Sequence, residues 1–160
     1  MEKKLTNQQL PIKQRPGWDE YFLELASVIA KRSTCLRRHF GAVIVKDNII
    51  VSTGYNGAAR GEPNCCDTGK CIRIEQNIPS GERYELCVAV HAEQNAIIAG
   101  DPIKMRDATI YVAGYEANGD PASSQPCLLC HRIIKNAMIR RVVYLDADGV
   151  KRNIRFEGAE

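Results

Sequence analysis

Two short segments of the chain carry the residue types that bind transition metals: His91-Ala92-Glu93 and Pro126-Cys127-Leu128-Leu129-Cys130. One imidazole and two thiolates suit a tetrahedral zinc ion, and a hydrolytic site must keep the fourth corner open for water. His91, Cys127 and Cys130 fill three corners and leave that one. Zinc lowers the pKa of its water from about 16 to about 7, which makes hydroxide available at neutral pH. Glu93, two residues from His91, is then read as the group that moves protons and not as a ligand.

Each part alone says little. A Cys-x-x-Cys pair is also redox-active or structural, a His at the edge of an apolar helix is often a core residue or a cap, and a first-turn Glu is usually solvated. A closed structural zinc would carry a fourth protein ligand. Together, His-x-Glu and Pro-Cys-x-x-Cys form the signature of zinc enzymes that deaminate a nucleobase.

The surrounding pattern shows what must hold these residues. Ala92, Ala96, Ile97, Ile98 and Ala99, closed by Gly100 and Pro102, predict a short buried helix starting near His91. Leu128, Leu129, Ile133, Ile134 and Ala137 predict a second helix, with Pro126 in its first turn. Both ligand sets then sit at helix N-termini, where the macrodipole favours thiolates and anionic intermediates. Upstream, Trp18, Phe22, Leu25 and Ile29 recur at helical spacing, so 18–31 reads as an amphipathic helix and 1–15 as a polar arm.

Ala42–Val45 and Ile49–Thr53, separated by Lys46-Asp47-Asn48, read as a β-hairpin. Thr109–Ala113 and Arg141–Leu145 read as strands that alternate with the two zinc helices, which implies parallel pairing. The expected fold is α/β: three layers, α/β/α, around a mixed central sheet of antiparallel hairpin plus parallel strands. Length and the 44% hydrophobic content suit a single domain over 1–160.

Lys and Arg outnumber Asp and Glu by 22 to 19, a net charge of +3. That excess is too small to imply a nucleic-acid partner. No apolar run approaches the roughly 20 residues that span a bilayer, so no membrane partner is expected. Met1-Glu2-Lys3-Lys4-Leu5 is charged with no apolar stretch after it, and the seven cysteines are expected as reduced thiols in the cytoplasm.

Three of the other five cysteines fall in Pro63-Asn64-Cys65-Cys66-Asp67-Thr68-Gly69-Lys70-Cys71, part of a Cys-rich insert over 60–87 that is too polar to pack itself. A second, structural zinc would staple it, with ligands drawn from Cys35, Cys65 or Cys66, Cys71 and Cys87. The alternative is that these are small buried hydrophobes, as free Cys often is.

The chain resembles the deoxycytidylate deaminases of the zinc-dependent cytidine deaminase superfamily. Besides the two zinc motifs, the resemblance rests on Lys31-Arg32-Ser33, Gly41-Ala42-Val43-Ile44-Val45 and Thr53-Gly54-Tyr55-Asn56-Gly57, and covers most of 18–145. It implies the cytidine deaminase-like fold and the conversion of dCMP to dUMP with release of ammonia. It further implies zinc on His91, Cys127 and Cys130, with Glu93 carrying a proton to ring N3 and then to the departing amine. Asn56 matches the residue that contacts the sugar, and Ser33 lies in the segment that approaches the phosphate, with Arg37 a further phosphate candidate and Ala92 a further substrate contact. Asn56-Gly57 is also a common turn pair, and Ser33 could terminate a helix.

Some viral members hold a second zinc whose cysteine ligands match Cys35 and Cys65. The position two before His91 is Ala89, where their pattern has Glu, so Cys71 and Cys87 are the substitutes this sequence offers. Members also imply a homo-oligomer, dimer or hexamer, and regulation by dCTP and dTTP.

The chain departs from the pattern at Gly114–Gln125, a 12-residue insertion before Pro126 whose Gly119, Asp120, Pro121 and Ser123-Ser124 predict a mobile surface loop of the kind that acts as a lid. Two other functions stand beside dCMP deamination: a zinc deaminase for another base (a nucleoside, guanine or an adenosine in tRNA), and a non-catalytic zinc or nucleotide-binding module.

Overall fold

A computed structural model describes residues 12–158. Its elements are α1 (Trp18–Ala30), β1 (Arg38–Lys46), β2 (Ile49–Tyr55), β3 (Gly57–Ala58), α2 (Cys65–Thr68), α3 (Ile72–Glu75), a 3₁₀ turn (Tyr84–Leu86), β4 (Ala89–Val90), α4 (Ala92–Ala99), β5 (Thr109–Glu116), α5 (Leu128–Asn136), β6 (Arg141–Leu145) and β7 (Lys151–Arg155). Most of the polar arm expected over 1–15 lies outside the described residues.

The principal sheet runs β2-β1-β5-β6-β7. Only β5 and β6 pair in parallel, through the α5 crossover, as strand-helix-strand order predicts. Asp47 and Asn48 both have positive φ, 50° and 62°, so a two-residue turn whose twist matches the strands joins β1 to β2. The edge strand β7, Lys-Arg-Asn-Ile-Arg, was not expected: its residues are charged and mostly exposed, which protects a sheet edge and removes the alternation that marks a strand.

Because side chains alternate along a strand, each strand feeds both faces. Ala42, Ile44, Ile110, Val112 and Val142 point to one face and pack against Ala92, Ala96, Cys130 and Ile134 of α4 and α5. Val43, Val45, Tyr111, Ala113 and Val143 point to the other, against Phe22, Leu23 and Ala26 of α1. The three layers are therefore α1, sheet, and α4 with α5.

Two glycines set the spacing of these layers. A Cβ on Gly41 would strike the Ala26 carbonyl and lie 2.6 Å from the Ala30 amide, and one on Gly54 would strike the Ala92 carbonyl and the Ala96 amide. Helix backbones thus lie directly on the sheet at both positions, and α4, which carries His91 at its start, is seated on β2 by Gly54.

Several expectations need correction. Helix α4 is not buried throughout: Ala92, Glu93 and Ala96 face inward, while Ile98 is 75% exposed. Pro126 precedes α5 instead of occupying its first turn, because Cys127 is the N-cap and its sulfur accepts from the Cys130 amide at 3.4 Å.

Most of all, Gly114–Gln125 is not a free loop. β1 starts at Arg38, so Gly114, Tyr115 and Glu116 continue β5 opposite Phe40, His39 and Arg38. Tyr115 stacks on His39 at 5.1 Å. The chain then turns at Gly119 (φ 92°) and folds back, with the Ala122 amide donating to the Gly114 carbonyl and the Ser124 amide to the Leu145 carbonyl. Ala122 and Ser124 are buried.

Candidate metal and catalytic centre

His91 and Cys127 are the residues immediately before α4 and α5, and Cys130 is one turn into α5. Packing these helices side by side on one face of the sheet brings the starts of both together. Nδ1 of His91 lies 3.5 Å from the Cys127 sulfur and 3.3 Å from the Cys130 sulfur. The three donor atoms all lie within 4.8 Å of one another, and no other such group occurs among the described residues.

The electrostatics suit a soft cation. Cys127 is drawn down to about 4, first by the hydrogen bond from Cys130, and also by His91 and the Cys130 amide, against the opposing effect of burial. Cys130 is pushed up, first by its hydrogen bond with Cys127 and then by burial. One imidazole and two sulfurs, one of them drawn toward the thiolate form, are the donor set of a zinc ion with an open fourth position.

Glu93 follows on the inner face of α4. It is 6% exposed, and burial raises its pKa above the usual carboxylate range. A buried carboxyl that ionises less readily than usual is suited to accept a proton and return it.

His91, Cys127 and Glu93 line a cavity of about 830 Å³, together with Ala92, Asn56, Arg37 and the insertion residues Ser123, Ser124 and Gln125, while Cys130 lies buried behind them. Asn56 is buried with its amide largely engaged: Oδ1 accepts from the Phe40 amide at 2.8 Å and Nδ2 donates to the Arg38 carbonyl at 2.9 Å. Ser33 does not line the cavity; its hydroxyl accepts from the Cys35 amide at 3.3 Å, the local turn that competes with any ligand role.

Cys35, Cys65, Cys71 and Cys87 line the same cavity. Burial, then the neighbouring thiols of Cys71, Cys35 and Cys87, raise the Cys65 pKa, so these sulfurs gather around Cys65 without any three closing to metal-binding distance. Cys66 is exposed.

Arg73 and Tyr84 also line the cavity and have no motif to announce them. Both fall in the Cys-rich insert, where only the thiols drew notice.

A family model described as the cytidine and deoxycytidylate deaminase zinc-binding region matches residues 16–146. The deoxycytidylate deaminase of Mycobacterium phage D29 is 40% identical over 134 residues, which cover 81% of this chain and 95% of that protein. The deoxycytidylate deaminase of Schizosaccharomyces pombe is 38% identical over 135 residues, covering 84% of this chain, but this chain spans only 38% of that protein. Among solved structures, the apo form of the dCMP deaminase from cyanophage S-TIM5 superposes with a TM-score of 0.58 at 25% identity, covering 86% of this chain and 90% of that one.

Proposed function

The chain belongs to the cytidine and deoxycytidylate deaminase family, and from that premise we propose that it hydrolyses dCMP to dUMP and ammonia. The convergence of His91, Cys127 and Cys130 beside buried Glu93 carries this conclusion. Its substrate follows from the relatives, in particular the phage deoxycytidylate deaminase that this chain matches over 95% of its length.

A zinc ion held by His91, Cys127 and Cys130 supplies the Lewis acidity that makes water a nucleophile at neutral pH. The Glu93 carboxylate takes the proton that water loses on attacking C4 and delivers it to N3 of the ring. The proton left on the hydroxyl added at C4 then passes through the same carboxylate to the amine, which leaves as ammonia while C4 becomes a carbonyl. Base, water and enzyme groups then balance: one water enters, one ammonia departs, and Glu93 is restored. The starts of α4 and α5 meet at the centre, where helix dipoles would favour negative charge developing on the ring. Ala92, Asn56 and Arg37 line the same cavity, which supports assigning Ala92 and Asn56 to the base and sugar and Arg37 to the phosphate.

Three extensions accompany this proposal. A second, structural zinc on Cys35, Cys65, Cys71 and Cys87 is supported by their gathering in one cavity wall. A homo-oligomer, dimer or hexamer, is supported by the exposed apolar side chains of Leu128, at 77% exposure, and Leu129 at the start of α5, which a second copy would cover. Regulation by dCTP and dTTP follows from the family resemblance alone, and the Tyr55-Asn56-Gly57 segment is compatible with it. A cytoplasmic location accords with seven free cysteines, and no described helix is long and apolar enough to cross a membrane.

The test is to give the zinc-loaded protein dCMP, CMP, deoxycytidine, guanine and a tRNA and to follow ammonia. Release from dCMP above all others is expected. Activity confined to substrates without a 5′-phosphate rejects dCMP as the substrate.

A further inference from the structure

Arg73 is a buried cation with no carboxylate to meet it. It is 5% exposed, and no ion pair involves it among the described residues. Its guanidinium donates instead to main-chain carbonyls: one nitrogen to Glu82 and Arg83, the other to Pro79. Taking a guanidinium out of water on such terms is costly and demands a return. The planar fork of Arg matches a curved strap of carbonyls in a way that a point charge does not.

The strap that Arg73 holds is bent against its own preferences. Asn77 and Arg83 adopt positive φ, 52° and 50°, which for Arg is a sparsely populated conformation that tertiary contacts must enforce. A second tie runs from Nη1 of Arg38 to the Ser80 hydroxyl at 3.0 Å, and Arg38 is itself paired with Glu116. Immediately after the strap comes Tyr84, over whose ring the Arg73 guanidinium lies at 5.2 Å.

The Tyr84 ring in turn meets the imidazole of His91 edge to face, at 5.0 Å and 83°. A metal-binding His usually has its ring orientation fixed by a hydrogen bond at the nitrogen that does not bind metal. Here the described hydrogen bonds of the His91 ring are both at Nδ1, toward Cys127 and Cys130. The aromatic contact occupies the structural role that such a bond has elsewhere.

We propose that Arg73 is a positioning residue of the metal centre: it fastens the Pro79–Tyr84 strap so that the Tyr84 ring fixes the plane of His91. This rests on the zinc-deaminase reading for the identity of the metal, but not for the latch itself. Arg73 acts through Tyr84, and Tyr84 through the ligand.

The experiment is a double-mutant cycle read by zinc affinity. The full chain and its Arg73→Ala, Tyr84→Ala and doubly substituted variants are titrated with zinc against a chelator dye. Each single change is expected to weaken zinc binding by about 10- to 100-fold, the usual effect of losing a ligand's orienting partner. The double variant is expected to be no weaker than the worse single one, because one chain of contacts has been cut twice. Losses that multiply, or zinc affinity within twofold of wild type in Tyr84→Ala, overturn the proposal.

Limited trypsin digestion supplies a readout that needs neither metal nor substrate. Cleavage after Arg83 should quicken at least about tenfold in Arg73→Ala. An unchanged rate overturns the latch. If Arg73→Ala does not fold, the cycle is run with Arg73→Lys, whose ammonium cannot fork onto the strap and lie over the ring together; full zinc affinity in that variant also overturns the proposal. Failure to deaminate dCMP with these readouts intact counts against the substrate alone, and leaves the latch standing.

Discussion

Asp19 and Arg141 form a two-pronged ion pair across the back of the sheet, Nη1 to Oδ1 at 2.9 Å and Nη2 to Oδ2 at 2.6 Å, joining α1 to β6. Burial alone would raise the Asp19 carboxyl, but the hydrogen bonds from Arg141 and Tyr111, with the charges of Arg141 and Lys151, hold it below its ordinary 3.8. A carboxyl lowered by folding stabilises the fold above its unfolded pKa and loses that contribution as pH falls through the folded one. Asp19→Asn should cost about 2 kcal/mol at neutral pH. The two stability curves should draw together below about pH 4; denaturant melts that stay equally far apart at pH 7 and pH 2.5 would show that Asp19 is not the titrating group.

Gly54→Ala and Gly41→Ala should both destabilise the fold, by about 3 kcal/mol, since each new methyl meets helix backbone that cannot rotate away. Their effects on the centre should differ. Gly54 seats α4, so its variant should also lose zinc affinity, whereas Gly41 seats α1 on the opposite face. Equal zinc binding by the two folded variants would contradict that division.

Glu93→Gln should keep its zinc and lose between about 100- and 10,000-fold in kcat, because an amide of the same shape cannot carry the proton. Metal analysis and steady-state rates on one preparation decide it. Zinc lost along with turnover would identify Glu93 as a ligand.

Asn56→Ala removes the acceptor of the Phe40 amide and the donor to the Arg38 carbonyl at the start of β1. The expected cost is about 2 kcal/mol, since both main-chain groups lose partners. If thermal melts show no loss, the amide serves ligands and not the strand.

Metal content separates one zinc from two. Wild type should carry about two zinc per chain, and Cys71→Ser about one with the catalytic trio intact. A single zinc in wild type ends the case for the Cys35, Cys65, Cys71 and Cys87 site.

The His91, Cys127 and Cys130 cluster was legible because its spacing is local: His-x-Glu lies within one turn of a helix and Cys-x-x-Cys within another, and both helix starts were marked by their apolar periodicity. The hairpin and the parallel β5–β6 pair were legible for the same reason. What escaped depends on partners far away in sequence. The insertion becomes strand only because Arg38 and His39, polar residues with no strand signature, extend β1 opposite it. Arg73 and Tyr84 acquire meaning only when the strap folds over His91. The hydroxyl of Ser33, near a helix end, accepts from the Cys35 amide, a local bond that no motif announces.

The strand order divides the molecule into units that form at different costs. β1 and β2 are joined by a two-residue turn, and β5, α5, β6 and β7 follow one another along the chain. The β1–β5 pairing, by contrast, matches Arg38 to Glu116, 78 residues apart, and bears the largest loop-closure entropy in the sheet. His91 belongs to the helix resting on the first unit, and Cys127 and Cys130 to the second. The trio therefore comes together only after this long loop has closed. A metal captured there stabilises the chain only once its longest-range pairing is made, so metal uptake during refolding should report the arrival of the native register.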